Sequence, residues 1–149
     1  MTLQIVLAYL HFISIIIAVG ALAAELVLLR ESMTLGAARM MGRVDALYGM
    51  SALGILVTGL LRVFHGGKGS AFYLSSPMFY GLLVGFALIA LLSLPPTITF
   101  LRWRGAVRNA RPPLMDSGTR RRLLTLMVLQ ALLLMLVMPL LAVLMARGY

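Results

Sequence analysis

LQIVLAYLHFISIIIAVGALAAELVLLR, from Leu3 to Arg30, decides the fold class. Before Arg30 its only acidic or basic side chains are His11 and Glu25, and Leu3 to Leu29 is long enough to cross a bilayer core of ~30 Å as a helix. A removable signal sequence would carry a basic segment and an apolar run of only about 7–15 residues. Thr2 to Gln4 carry no basic residue and the run is far longer, so a retained span is expected.

Three more apolar runs repeat the pattern, near residues 44–64, 78–101 and 123–145. The second stops at His65, Gly66 and Gly67, where glycine breaks the helix and Lys68 and Gly69 complete a turn. The third opens near Pro77, which suits a first helical turn. Inside it, Pro95 and Pro96 predict a kink whose freed carbonyls need partners such as Ser93 or Thr97. Pro139 interrupts the fourth.

The 149 residues are 62% hydrophobic and 11% charged, with a mean hydropathy of +1.03. The expected fold is therefore one all-α, integral membrane four-helix bundle whose solvent is lipid. With no cysteine, disulfides and thiolate metal sites are excluded. The net charge of +9 sits at the ends of the apolar runs. The two loops between spans one and two and spans three and four hold ten Lys and Arg, against three on the other side. By the positive-inside rule both loops are cytoplasmic and both termini outside.

The loop from Arg102 to Arg122, with Pro112, Pro113 and Gly118 among its arginines, is expected to be flexible and to lie on anionic lipid headgroups at the cytoplasmic face. Arg102, Trp103 and Arg104 read as an interfacial anchor. A nucleic-acid partner is not expected, because aromatic interleaving is lacking. GGKGS at 66–70 lacks the spacing and the preceding strand of a phosphate loop.

Ionisable groups within apolar spans are costly and mark candidate sites. His11, Glu25, Arg62 and His65 stand out. His11, Ser14, Ala18, Ala21 and Glu25 form one helical stripe that must face the bundle, while Gly20 and Ala24 have the spacing that permits close helix approach. Tyr48, Ser51, Ile55, Thr58, Arg62 and His65 form a second stripe, beside Gly54 and Gly59. With the two helices antiparallel and centred at one depth, His11 falls level with Gly59, and Arg62 lies about 4.5 Å further out. Glu25 falls near Asp45 and Tyr48 at the other end, a charge anchor within reach of Arg43 or the basic loops.

A membrane histidine is a packing residue, a proton carrier or an axial haem ligand. If His11 held the iron of haem b, His65 is excluded as second ligand, about 9 Å away along the axis. Met138 comes out near the right level, although methionine is also an ordinary core filler. Arg62 would face a propionate or snorkel outward.

AYLHFISIIIAVGALAAELVLLR (8–30), LYGMSALGILVTGLLRVFHGGKGSAFYL (47–74), SSPMFYGLLVGF (75–86) and LLSLPPTITFLRWR (91–104) resemble the bacterial domain of unknown function 2214 family. The resemblance spans roughly residues 7–104 and implies a multi-pass protein of the bacterial inner membrane, without an activity. More distantly, the first-helix histidine followed by small residues and Glu25 is similar to the haem-binding protoporphyrinogen oxidase and copper-resistance membrane families. That likeness implies a haem-site role for His11 alone. Where the oxidase uses a lysine at the start of the third helix, this chain has Phe79, Tyr80, Gly81 and Leu82.

Three functions are thus expected in competition. One is a haem-binding or porphyrin-handling redox protein using His11, with Arg62 and Met138. The second is a non-catalytic subunit of a larger membrane complex or homo-oligomer, and the third a small proton-coupled transporter using Glu25.

Overall fold

The computed structural model describes residues 2–66 and 68–149. The order is α1 (Thr2–Arg30), α2 (Leu35–His65), the short α3 (Ser70–Ser75), α4 (Pro77–Arg108), α5 (Ser117–Leu132), a π-helical turn (Leu133–Val137) and α6 (Met138–Ala146). Four helices are long and apolar enough to cross a membrane: α1, α2, α4 and the continuous rod Ser117–Ala146. Gly67, read as part of the turn after α2, lies outside the described residues.

The helices outrun the apolar runs that announced them. The second starts at Leu35 rather than near 44, capped by Thr34, whose hydroxyl accepts from the Ala37 N–H at 3.1 Å. It ends at Gly66, where a Cβ would run into the carbonyl of Arg62. The third span, α4, extends to Arg108, and the chain restarts as helix at Ser117, capped by Asp116. The loop expected between Arg102 and Arg122 therefore shrinks to residues 109–116. At about 1.5 Å per residue a 32-residue helix outruns the ~30 Å apolar core, so its charged end projects from the membrane.

Large apolar side chains such as Ile16, Met50 and Leu91 cover the outside, each more than 60% exposed. Leu22, Leu29, Met41, Phe100 and Met127 fill the inside. Lipid tails are as apolar as leucine, so burial alone gives little drive for association in a membrane. Close packing and interhelical hydrogen bonds must set the helix arrangement instead.

Glycine sets the closest approaches. On α2, a Cβ at Gly54 would lie 2.7 Å from Ser14 Oγ, and one at Gly59 would lie 3.3 Å from His11 Cε1. These two positions bring α1 against α2, the most extensively packed pair. Gly20, expected at a close approach, is exposed and has no neighbour within 4 Å of a Cβ position, so the glycines of the α1–α2 contact come from α2, with Ala18 and Ala21 among the buried residues of α1. Gly85 of α4 plays the same part against Met138, whose sulfur lies 2.8 Å from its Cβ position.

The hydrogen bond lost at Pro96 is replaced from another helix. Pro96 has no N–H for the Leu92 carbonyl, and Gln130 of α5 supplies one from Nε2 at 3.2 Å. Ser93 instead donates to Ala90 O, and Thr97 donates to Asp45, so the expected role of those two hydroxyls is corrected. In the π turn Met138 N–H bonds Leu133 O, five residues back, just before Pro139.

Each end of the bundle is stapled. At the arginine-rich end Arg120 donates to the carbonyls of Arg30 and Glu31, which close α1. Trp103 is only 8% exposed and packs on Phe100, so it is a core residue and not the interfacial anchor its flanking arginines suggested. At the end that carries the termini, Lys68 donates to Ala146 O at 2.6 Å and sits over Phe72, while Ser76 donates to Tyr149 O.

Candidate functional site

α1 turns Leu7, Ala18, Ala21, Leu22, Glu25 and Leu29 inward, with His11 and Ser14 half-buried between them, so the stripe read from the sequence is the inner face. The inner face of α2 is Ala38, Met41, Asp45, Tyr48, Ser51, Ile55, Thr58 and Val63. It keeps four members of the expected stripe, extends it one and two turns toward the arginine-rich end, and leaves Arg62 half-buried and His65 exposed.

The two faces form two separate polar layers. In the first, His11 Nδ1 lies 2.8 Å from Thr58 Oγ1. The Thr58 hydroxyl has one proton, directed to Gly54 O at 2.5 Å. With that proton so directed, the tautomer that suits Thr58 has Nδ1 as donor and the lone pair on Nε2. Arg62 lies within electrostatic reach of this ring. His65 bonds its own helix at Leu61 O.

The second layer is deeper in the bundle and more acidic. Glu25 is 2% exposed, and its Oε1 has no hydrogen-bond partner. Asp45 and Tyr48 lie within electrostatic reach of it. Asp45 accepts from Thr97 Oγ1 at 2.8 Å, and Arg104, at the end of α4, acts on it from the bundle rim. Tyr48 donates to Gln130 Oε1 at 3.0 Å, and Gln130 passes the link to Leu92 O. Glu25, Asp45, Thr97 and Gln130 come from α1, α2, α4 and α5, so one layer joins every long helix.

Glu25 is thus placed beside Asp45 and Tyr48, as its depth predicted, but its electrostatic neighbour is a second carboxylate and not Arg43. An unsatisfied acid next to another acid is a poor structural anchor. Met138 packs on Gly85 of α4, whereas His11 packs on Gly59 of α2. The two candidate axial ligands thus pack on different helices.

Two members of the acidic layer, Asp45 and Gln130, are not among the site candidates singled out in the sequence. Asp45 stands one residue inside the predicted start of its span and next to Arg43, which made it look interfacial. The ten residues of α2 that precede it place it inside the bundle. Gln130 gave a usable signal, as a lone amide in the apolar run from Leu123 to Met145.

Beside this layer, a crevice of about 290 Å³ opens between α2 and α4. Leu53, Leu56, Phe86 and Ile89 form its apolar walls, with Tyr48 and Thr97 at its polar end.

The family model described as a predicted membrane protein, DUF2214, matches residues 3–149. The chain belongs to that family. No curated protein and no solved structure matches it. The DUF2214 match reaches beyond the stretches quoted above and takes in α5 and α6, so it includes Gln130 as well as Glu25, Asp45 and Thr97. The described residues hold no group of three or more His, Cys, Asp or Glu able to bind a metal ion. What the DUF2214 chain does offer is a carboxylate pair held away from water by four helices.

Proposed function

We propose that this protein is a small proton-coupled membrane transporter in which Glu25, paired with Asp45, is the carboxylate that takes up and releases the proton. The observation that carries this reading is the unpartnered Oε1 of Glu25 in a residue only 2% exposed. Holding two negative charges at that depth is costly. A proton or a bound cation removes the cost, so the pair alternates between them. Thr97 holds Asp45; Tyr48 and Gln130 tie α2 to α5 beside it, and the backbone hydrogen bond that Pro96 cannot make gives α4 a point at which to move. The arginine asymmetry supports placing the arginine-rich end in the cytoplasm of a bacterial inner membrane, with both termini outside.

Infrared difference spectra across a pH step, recorded on the purified protein, test the assignment. A protonated carboxyl band that disappears in Glu25→Gln, together with loss of proton flux in vesicles, is expected. Flux and band that both survive Glu25→Gln would overturn it.

A second reading rests on His11. Its Nδ1 is held as a donor by Thr58 and its Nε2 lone pair is left available, the arrangement that orients a ligating imidazole. Haem b would be held there by His11, with Arg62 beside a propionate, and would supply one-electron chemistry. Absorbance of protein expressed with haem decides it: a Soret band lost in His11→Ala is expected, and no band removes the reading. A band shifted in Met138→Leu identifies Met138 as the second axial ligand, and an unchanged band removes Met138 from the site.

A further inference from the structure

The α2–α4 crevice and the acidic layer meet at two side chains. Tyr48 and Thr97 line the crevice, and the Thr97 hydroxyl is bonded to Asp45 Oδ1. Rotation of the Thr97 side chain therefore releases Asp45 Oδ1 from its bond at the crevice's polar end. From Leu56 to Tyr48 the groove runs along two turns of α2, roughly 12 Å. Leucine, isoleucine, alanine and phenylalanine make most of its walls, with Ser93 among them, and both flanking helices are long and apolar enough to cross a membrane.

We infer that the crevice is the entrance for a lipophilic cation, an ammonium group on a single apolar chain or small ring, which approaches through the bilayer and places its charge against Asp45 and Glu25. The inference rests on the proton-coupled reading of those two acids. Charge complementarity argues for a cation: Thr97, at the polar end, donates to Asp45, Asp45 and Tyr48 lie within electrostatic reach of Glu25, and Arg104 acts on Asp45 from the rim. The one buried side-chain atom of the described residues without a partner is a carboxylate oxygen, Glu25 Oε1. Apolar walls argue for the tail. The volume lies at the small end of the roughly 300–1,000 Å³ typical of ligand pockets, which limits the tail to one chain or ring. Tyr48 adds an aromatic face at the charged end. Proton and cation then compete for the same pair, which couples their movement in opposite directions without any further site.

Equilibrium binding of radiolabelled decyltrimethylammonium to the full-length protein in phosphatidylcholine nanodiscs tests this. The probe carries a permanent charge, and the neutral lipid removes surface attraction. Saturable binding of one probe per chain is expected, weakening at least tenfold from pH 8.5 to pH 5.5 as protons compete. Asp45→Asn and Glu25→Gln each lower the affinity tenfold or more. Ala90→Leu and Ala52→Leu, two independent ways to fill the crevice, do the same while each variant stays helical and monodisperse. Only non-saturable uptake, equal competition by decanol, or wild-type affinity in both crevice variants overturns the inference. If the proton band assigned to Glu25 persists while the cation fails to bind, the entrance is wrong and the proton site stands. If neither is seen, both fall.

Discussion

Gln130 occupies the hydrogen-bonding place that Pro96 vacates. Its Nε2 donates to Leu92 O at 3.2 Å while its Oε1 accepts from Tyr48, so a side chain on α5 repairs α4 and holds α2 in the same act. Gln130→Leu keeps the bulk and leaves both partners unpaired. A loss of about 1–3 kcal/mol is expected from an unsatisfied buried group. Tyr48→Phe, which removes one interhelical bond, should cost about 0.6 kcal/mol, the usual value in membrane bundles. Thermal or denaturant unfolding in mild detergent reads the difference, and equal losses for the two variants would refute the clamp.

Glu25 is held at an energetic disadvantage. Replacing it by methionine, which fills a similar volume without a polar atom, should stabilise the bundle by about 1–3 kcal/mol while abolishing proton uptake. A lower melting temperature in Glu25→Met would instead identify Glu25 as a structural anchor.

Gly54 lets α1 and α2 touch. A leucine there would drive into Ser14, whose Oγ already lies 2.7 Å from the Cβ position and bonds Leu10 O. Gly54→Leu should cost at least about 1–3 kcal/mol through overpacking, whereas Gly20→Leu, at an exposed position with open space around it, should change stability little. A crosslink between cysteines introduced on α1 and α2 should form in Gly20→Leu and fail in Gly54→Leu.

α4 ends on a strained residue. Ala110 has φ 52°, and Arg111 N–H bonds Ala106 O while Ala110 N–H bonds Val107 O, a helix-terminating pattern that favours glycine. Ala110→Gly should raise stability by roughly 1 kcal/mol, because the left-handed conformation costs a residue with a Cβ about that much. A fall in the unfolding midpoint would contradict this.

The cap of α5 responds to acid. Asp116 accepts from the hydroxyl and the N–H of Thr119, and these bonds hold its carboxyl below the ordinary value of 3.8. A lowered folded value means the contribution is complete above that ordinary value and is lost as pH falls through the lower one. Hydrogen exchange at residues 117–120 should therefore lose protection on acidification relative to Asp116→Asn, whose cap does not titrate. Parallel pH profiles for the two proteins would remove the cap from the account.

How far the sequence carried is clearest on α1. His11, Ser14, Ala18, Ala21 and Glu25 were legible as an inner face because every third or fourth residue broke an otherwise apolar run. The level of His11 with Gly59 followed from helical rise alone. The Glu25–Asp45 layer was half legible. Asp45 lay beside an arginine at the edge of the hydropathy signal, and hydropathy marks where apolar sequence ends rather than where the helix does. Trp103 misled for the same reason, since flanking arginines describe a position along the axis and not the side of the helix that a residue faces.

The sequence by itself determined that four helices cross the membrane and which end carries the arginines. Both follow from transferring single segments into lipid, a cost that adds up residue by residue without reference to neighbours. Which polar groups share a layer was decided only by the tertiary structure. Gly54, Gly59 and Gly85 set how closely the helices approach, and Gln130 and Thr97 set their rotation by bonding across the bundle. Those contacts join residues far apart in the chain, so they put Glu25 within electrostatic reach of a second acid.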